Sequence, residues 1–450
     1  MTFTPQQAIL ALGDSFYDRV AAADFPETIL RFRNQRWAEA VGLGGLADAA
    51  WIAHFGRFQP LAGSLETPLA LRYHGHQFRV YNPEIGDGRG FLFAQLRDSG
   101  GRLLDLGTKG SGQTPWSRFG DGRLTLKGGV REILATEMLE ALGVNTSKSF
   151  SLIETGEALH RGDEPSPTRS SVLVRLSHGH IRIGMFQRLA YHQDADAMRA
   201  LTDYVLRNLY GEEPGADPAA QLLHHVAQRT ARLAGQYLAA GFVHGVLNSD
   251  NINVTGESFD YGPWRFTPTW DPGFTAAYFD QNGLYAFGRQ PEAIHWDAMQ
   301  LAVSLRLISP EEPLIEALES FGDHYRGEVA KAVLWRFGVL PRDDQSNSRF
   351  LQALDVPMRE TLTPVDRFMF DSFGGAVPDH YGEAFADLRT QLAGFAPRKS
   401  RDHAYWQGDA PCSMLIDEVE TIWARIADAD DWSMFEAKVA QIRKMGEALA

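Results

Sequence analysis

Apolar and polar positions alternate in short runs over much of the first half of the chain and settle into helical spacing over the second. Between residues 66 and 190, FLFAQLRD (91–98), RLLDLGTKG (102–110), SFSLIETG (149–156), SVLVRLS (171–177) and IRIGMFQ (181–187) have the length and composition of strands, and glycine clusters separate them. They predict a mostly antiparallel sheet. One helix interrupts it, from about Lys127 to Leu142, with Val130, Ile133, Leu134, Met138 and Ala141 on one stripe and Gly143 as the stop. From 194 onward helical spacing dominates, and Leu222, Val226, Leu233, Tyr237 and Leu238 mark a long helix ending at Gly241. Before residue 66 the pattern predicts only a short helix around Gln6 to Leu12, followed by polar turns with scattered tryptophans.

This division predicts an α+β protein of two lobes: a lead-in segment (1–65), a mostly antiparallel sheet lobe with one key helix (66–192), and a mainly helical C-terminal lobe (193–450) with a helical extension at its end. Composition narrows the classes. With 44% hydrophobic and 22% charged residues, disordered, collagenous and coiled-coil chains are excluded. The single cysteine, Cys412, cannot form an internal disulfide and lacks a basic neighbour, so an inert thiol and a cytoplasmic setting are expected. No stretch of about 18 apolar residues occurs, and no membrane span or secretion signal is expected.

The 57 acidic and 43 basic residues leave a net charge of −14, which opposes nonspecific binding of nucleic acid or anionic membranes. A phosphate ligand must then be met by local cations. Arg118, Arg123, Lys127 and Arg131 meet only Asp121 among acids over residues 118–131, and Asp121-Gly122 reads as a tight turn offering a carboxylate and a backbone donor.

In chain order come a glycine-rich turn, GDGRG (Gly86 to Gly90), a lysine at the end of a strand (Lys109), a helix bearing Glu132 and Glu137, and HGVLNSDN (244–251) followed by FDYG (259–262). That is the order of parts in a protein kinase. Glycines let backbone N–H groups approach phosphate oxygens, a strand lysine supplies a point charge, and an Asn with an Asp gives hard oxygen ligands to Mg²⁺. Taken alone, GDGRG is more often a tight surface turn and Lys109 a solvated surface lysine; the order of the parts is what favours the functional reading. Either Glu132 or Glu137 can pair Lys109 on spacing alone.

A two-residue turn at Thr255-Gly256 would set Asn251 opposite Asp260 across a hairpin, so that two oxygen ligands converge. A kinase loop carries its base two residues after the histidine, but that place holds Val246, and Asp250 is the nearest substitute. A turn over Ser177 to His180 would likewise oppose Arg175 and Arg182, a destabilising pair unless a phosphate chain lies between them; a slipped register would separate them. His74 and His76, His178 and His180, and His224 and His225 lack carboxylate or thiol company and read as structural.

HGHQF (74–78), GDGRG, KGSGQTPWSRFGDGR (109–123), VRE (130–132), the Arg175 and Arg182 stretches, HGVLNSDN and FDYGP (259–263) together resemble the selenoprotein O family, protein adenylyltransferases with a pseudokinase fold. The resemblance implies a protein-kinase-like two-lobed fold that binds ATP flipped, so that AMP passes to Ser, Thr or Tyr hydroxyls of protein substrates. By residue matching it implies nucleotide contacts from Gly86, Gly88, Arg89, Lys109, Asp121, Gly122, Arg175, Arg182 and Asp260. It further implies Glu132 as partner of Lys109, Asp250 as the base, and Asn251 and Asp260 as ligands of Mg²⁺, with Mn²⁺ as the alternative metal. The likeness is expected to fade past about residue 265, and redox control through the C-terminal cysteine pair of many members is not expected with Cys412 alone. Two other functions compete on sequence: a conventional phosphotransferase, disfavoured by Val246, and a silent nucleotide-binding scaffold, disfavoured by the complete set of polar residues.

Overall fold

A computed structural model describes residues 2–162 and 164–450. Its strands are β1 (Pro5–Gln6), β2 (Tyr17–Arg19), β3 (Ile29–Arg33), β4 (Leu69–Leu71), β5 (Gly75–Gln77), β6 (Val80–Asn82), β7 (Leu92–Arg97), β8 (Leu103–Lys109), β9 (Leu124–Thr125), β10 (Lys148–Leu159), β11 (Thr168–Ser177), β12 (Phe242–Val243) and β13 (Arg265–Phe266). Nine of them form one antiparallel sheet in the order β2-β4-β7-β8-β11-β10-β3, with β1 on β7 and β9 on β11.

The central strands are apolar on both faces because both are covered. Leu103, Leu152 and Leu173 point to the helix formed by 126–141, whereas Leu104, Leu106, Phe150, Val172 and Val174 point to a second cluster built on Trp51 and Phe55. Trp51 stacks on Phe150 at 5.0 Å. The segment before residue 66, read from sequence as a lead-in, therefore supplies β1, β2 and β3 to the sheet together with the helices α1 (Gln35–Ala40) and α2 (Asp48–Phe55) that cover its far face. Its strands are two to five residues long, too short to show a period.

The remaining helices are α3 (Leu126–Ala141), α4 (Ile183–Tyr191), α5 (Ala195–Val205), α6 (Pro218–Ala240), α7 (Gln290–Leu305), α8 (Glu311–Arg336), α9 (Asp344–Thr361), α10 (Val365–Ser372), α11 (Ala386–Leu392), α12 (Ile416–Ala429) and α13 (Ser433–Leu449). Helix α3 starts where the Thr125 side chain accepts from Gly128 N and stops before Gly143, which takes a left-handed φ of 79°. Helix α6 carries Pro218 at its first turn and ends at Gly241, φ 67°.

Three expectations need correction. The Gln6–Leu12 helix is a short 3-10 turn at Ala8–Leu12, after Pro5 and Gln6 have joined the sheet edge. Residues 183–187, expected as a strand, open α4, because Ile183, Phe186 and Leu189 also satisfy helical spacing. No ladder joins Asn251 to Asp260: residues 249–251 form a 3-10 turn, and residues 252–260 hold only isolated bridges, Asn253 to Arg182 and Ser258 to Thr146. No helix among the described residues is long and apolar enough to cross a membrane.

Candidate active site

A cleft of about 710 Å³ lies where β8, α3 and β11 face the loop 244–260. Its sheet-side wall is built from charges that satisfy one another. Lys109 closes β8, and its Nζ reaches Glu132 Oε2 at 2.6 Å and Asp260 Oδ1 at 2.8 Å. Arg175 stands beside Gly107 on the neighbouring strand and lies 3.4 Å from Glu132 and 3.5 Å from Asp260. Arg182, in extended backbone just before α4, reaches Asp260 at 3.6 Å, Asp87 at 3.2 Å and the Asp250 carbonyl at 3.0 Å. Phe259 packs against both guanidinium groups, and Tyr73 against that of Arg182.

Lys109, Glu132, Arg175 and Arg182 are buried, whereas the Asp260 side chain keeps 23% of its surface open to the cleft. Burial alone would raise the Asp260 pKa. Lys109, Arg175, Arg182 and Arg89 outweigh it and hold the carboxyl well below its ordinary range. Asp260 adopts a left-handed φ of 61°, which costs a non-glycine residue about 1 kcal/mol. Strain and charge thus meet at one accessible carboxylate.

The opposite side is the loop 244–251. His244 is buried, its Nε2 is 3.0 Å from the Phe259 carbonyl, and burial lowers its pKa. Asn248 accepts from Phe78 N and Tyr285 OH, and Ser249 accepts from His76 N while donating to Gln187. The HGHQF segment is therefore a latch holding this loop. His76 itself pairs with Gln187 at 2.7 Å, and His74 with Tyr81 at 2.8 Å. Asn251 donates its Nδ2 to the Val246 carbonyl at 2.9 Å, leaving its Oδ1 as acceptor. Asp250 is buried, and its Oδ1 has no hydrogen-bond partner. Burial lifts its pKa to about 6, with Arg182 acting the other way.

The glycine-rich turn closes a third side. A Cβ on Gly86 would lie 2.5 Å from the Trp116 ring, and one on Gly90 2.1 Å from the Thr108 carbonyl, so both positions accept only glycine. Thr114 and Ser117 donate to the carbonyls of Asp87 and Gly88, and Trp116 donates to Asp18. Farther out, Asp121 accepts Arg123 N at 2.9 Å and pairs with Arg161 at 2.8 Å, and Gly122 takes φ 69°.

The cleft brings together Gly86, Gly88, Arg89, Lys109, Asp121, Gly122, Arg175, Arg182, Asp250 and Asp260; Glu132 stands behind Lys109, and Asn251 adjoins the lining at Asp250. Arg175 and Arg182 do converge, but not as opposed residues of a hairpin: each pairs with buried acids, so the expected unrelieved repulsion is absent. The choice between glutamates is resolved, since Glu137 turns away to Arg443. Sequence reading missed Asp87, which accepts from Leu71 N as well as Arg182, although it lies between the two cleft glycines. It also missed Tyr73 and the Arg161 partner of Asp121, whose separation along the chain left no local signal.

The chain is similar to known proteins over nearly all of its length. A protein nucleotidyltransferase YdiU of Synechocystis sp. is 40% identical over 98% of both chains, and that of Synechococcus elongatus is 42% identical over 100% of this chain and 97% of its own. The YdiU of Gloeobacter violaceus is 42% identical over 98% of this chain and 95% of its own. The match to these relatives continues past residue 265 into the helical half. The family model described as "Protein adenylyltransferase SelO" matches residues 1–375, and the chain belongs to that family.

Proposed function

We propose that the chain transfers AMP from ATP to Ser, Thr or Tyr hydroxyls of protein substrates in the cytoplasm, within a kinase-like two-lobed fold whose cleft takes the nucleotide flipped. The observation that carries this reading is the contrast in the cleft. One open carboxylate, Asp260, is held ionised by nearby cations, and in the same cleft the buried Asp250 has one carboxylate oxygen without a partner while Val246 occupies the place of a kinase base.

In this reading Lys109, Arg175, Arg182 and Arg89 grip the phosphate chain, and Glu132 holds Lys109 in place. The hydroxyl oxygen attacks the α-phosphorus, the bond to the β-phosphate's bridging oxygen breaks, and pyrophosphate departs with that electron pair. The hydroxyl proton passes to Asp250, whose raised pKa suits a base near neutrality. The hard oxygen donors of Asp260 and Asn251 suit Mg²⁺ or Mn²⁺, which when bound would neutralise phosphate charge. Gly86, Gly88, Asp121 and Gly122 line the nucleotide's path.

The test is mass spectrometry of an acceptor protein, or of the chain itself, after incubation with Mg-ATP. An adenylyl group on a hydroxyl residue is expected. A phosphoryl group there, or no adduct despite ATP binding, would overturn the reading.

A further inference from the structure

Helix α3 carries Glu132, and the nature of its grip differs between faces. Its apolar stripe rests on the sheet, a contact that sets its height but is not directional. Directional contacts come from β10, where Thr136 meets Ser149 at 2.8 Å, from Arg36 and Trp37 of α1 at Glu140, and from the last two helices, which among the described residues alone pair with Lys127 and supply the guanidinium on Glu137 within hydrogen-bond distance. At the first turns, Glu420 of α12 takes Lys127 at 2.7 Å and Arg131 at 3.5 Å. Farther along, Arg443 of α13 binds both oxygens of Glu137, at 2.9 and 2.8 Å. One turn beyond, α13 lies flush on α3, where a Cβ on Gly446 would come within 3.2 Å of Ala141. Asp430, between α12 and α13, is pinned to the sheet by Arg31 and Arg169.

Glu137 sits about 140° around the helix from Glu132, so α3 is held between two buried carboxylates pulled in different directions. Glu137 is buried; besides Arg443 it has the Asn34 amide at 3.2 Å, with Arg36 more distant at 3.9 Å. Without Arg443 that carboxylate would be buried with little compensation, and turning α3 to expose it would draw Glu132 off Lys109.

We propose that α12 and α13 form an intramolecular clamp that fixes the rotation of α3, with Arg443 and Glu420 as positioning residues for the Lys109–Glu132 pair. The proposal rests on the reading above, in which that pair serves nucleotidyl transfer.

The test uses the full chain carrying Arg443→Met, Arg443→Lys or Glu420→Gln, with two readouts: transfer of α-phosphate label at saturating Mg-ATP, and amide hydrogen exchange over residues 126–141. Arg443→Met is expected to slow transfer about tenfold and to speed exchange in α3, with Arg443→Lys recovering most of both and Glu420→Gln showing a smaller change of the same kind. A folded Arg443→Met protein with wild-type transfer and exchange would overturn the clamp, as would equal losses in the Met and Lys variants. Should Arg443→Met fail to fold, the half-exposed Glu420 carries the test, and unchanged exchange in Glu420→Gln would overturn it. Absence of label transfer by the wild type would count against the proposed function, and the exchange measurement would then decide the clamp separately.

Discussion

The two sides of the cleft solve the problem of buried charge in opposite ways. On the sheet side, Lys109, Glu132, Arg175, Arg182 and Asp87 form a network in which each charged group lies against one of opposite sign, although the Nε atoms of Arg175 and Arg182 are left without a hydrogen-bond partner, and Asp260 is its open end. On the loop side, Asp250 is buried to a similar degree yet has an oxygen with no partner. A surplus of nearby cations holds its carboxylate ionised and suits binding; a carboxylate with an unpaired buried oxygen gives up solvation and gains proton affinity. The fold thus sets, in one cleft, a carboxylate held ionised and a second whose proton affinity is raised.

The contrast breaks most severely at Asp260. Asp260→Ala removes the acceptor shared by three buried cations, and nucleotidyl transfer should be abolished with Mg-dependent ATP binding weakened, as read by calorimetry. Asn251→Ala removes a neutral donor and should reduce both less. Equal effects from the two would contradict the unequal roles assigned to them. Asp250→Asn sharpens the other side: the rate should fall by about 10²–10⁴ while ATP affinity is kept, because a proton acceptor and not a ligand contact is lost. A matching loss of affinity would show Asp250 to be part of the binding network instead.

Arg175→Gln and Arg182→Gln test whether the sheet side is a network at all. Each arginine compensates buried acids, so each variant should lose about 3 kcal/mol or more of stability without nucleotide, melt earlier, and gain less from Mg-ATP. An unchanged or higher apo melting temperature would mean that the arginines repel each other more than they pair. Smallest is the effect at Glu257, a buried acid outside the cleft whose oxygens accept from His178 N. Burial lifts its pKa to about 7. The folded state then holds its proton more tightly than the unfolded chain, so its contribution to stability is lost as pH rises from about 4.5 to 7. Glu257→Gln should flatten that decline, raising stability at pH 8 by up to about 3 kcal/mol while leaving transfer intact. A decline as steep as in the wild type would assign it to other groups.

What could be read from the sequence follows a physical line. The strands around 92–109 and 148–177 and the helices α3 and α6 announced themselves because each is long enough to show a period and is bounded by glycine. The polar residues of the cleft were legible as types in order, Lys109 before Glu132 before Asp250 and Asp260. Their geometry was not. The two hairpins inferred from turn residues do not form, yet Arg175, Arg182 and Asp260 still meet, because β11, the approach to α4 and a left-handed turn at Asp260 converge from different directions. Local pairing rules can be right about convergence and wrong about its cause. Asp87, and the far-face role of Trp51 and Phe55, depend on contacts between distant segments that no local pattern encodes.

The central claim is that the α-phosphate, not the γ-phosphate, is the one transferred. The most direct measurement incubates the chain and acceptor protein with Mg-ATP labelled at one position or the other and follows label bound covalently to protein. Incorporation is expected from α-labelled ATP, none from γ-labelled ATP, and loss of the α signal in Asp250→Asn. Incorporation from γ-labelled ATP alone would contradict it and make the cleft that of a phosphotransferase.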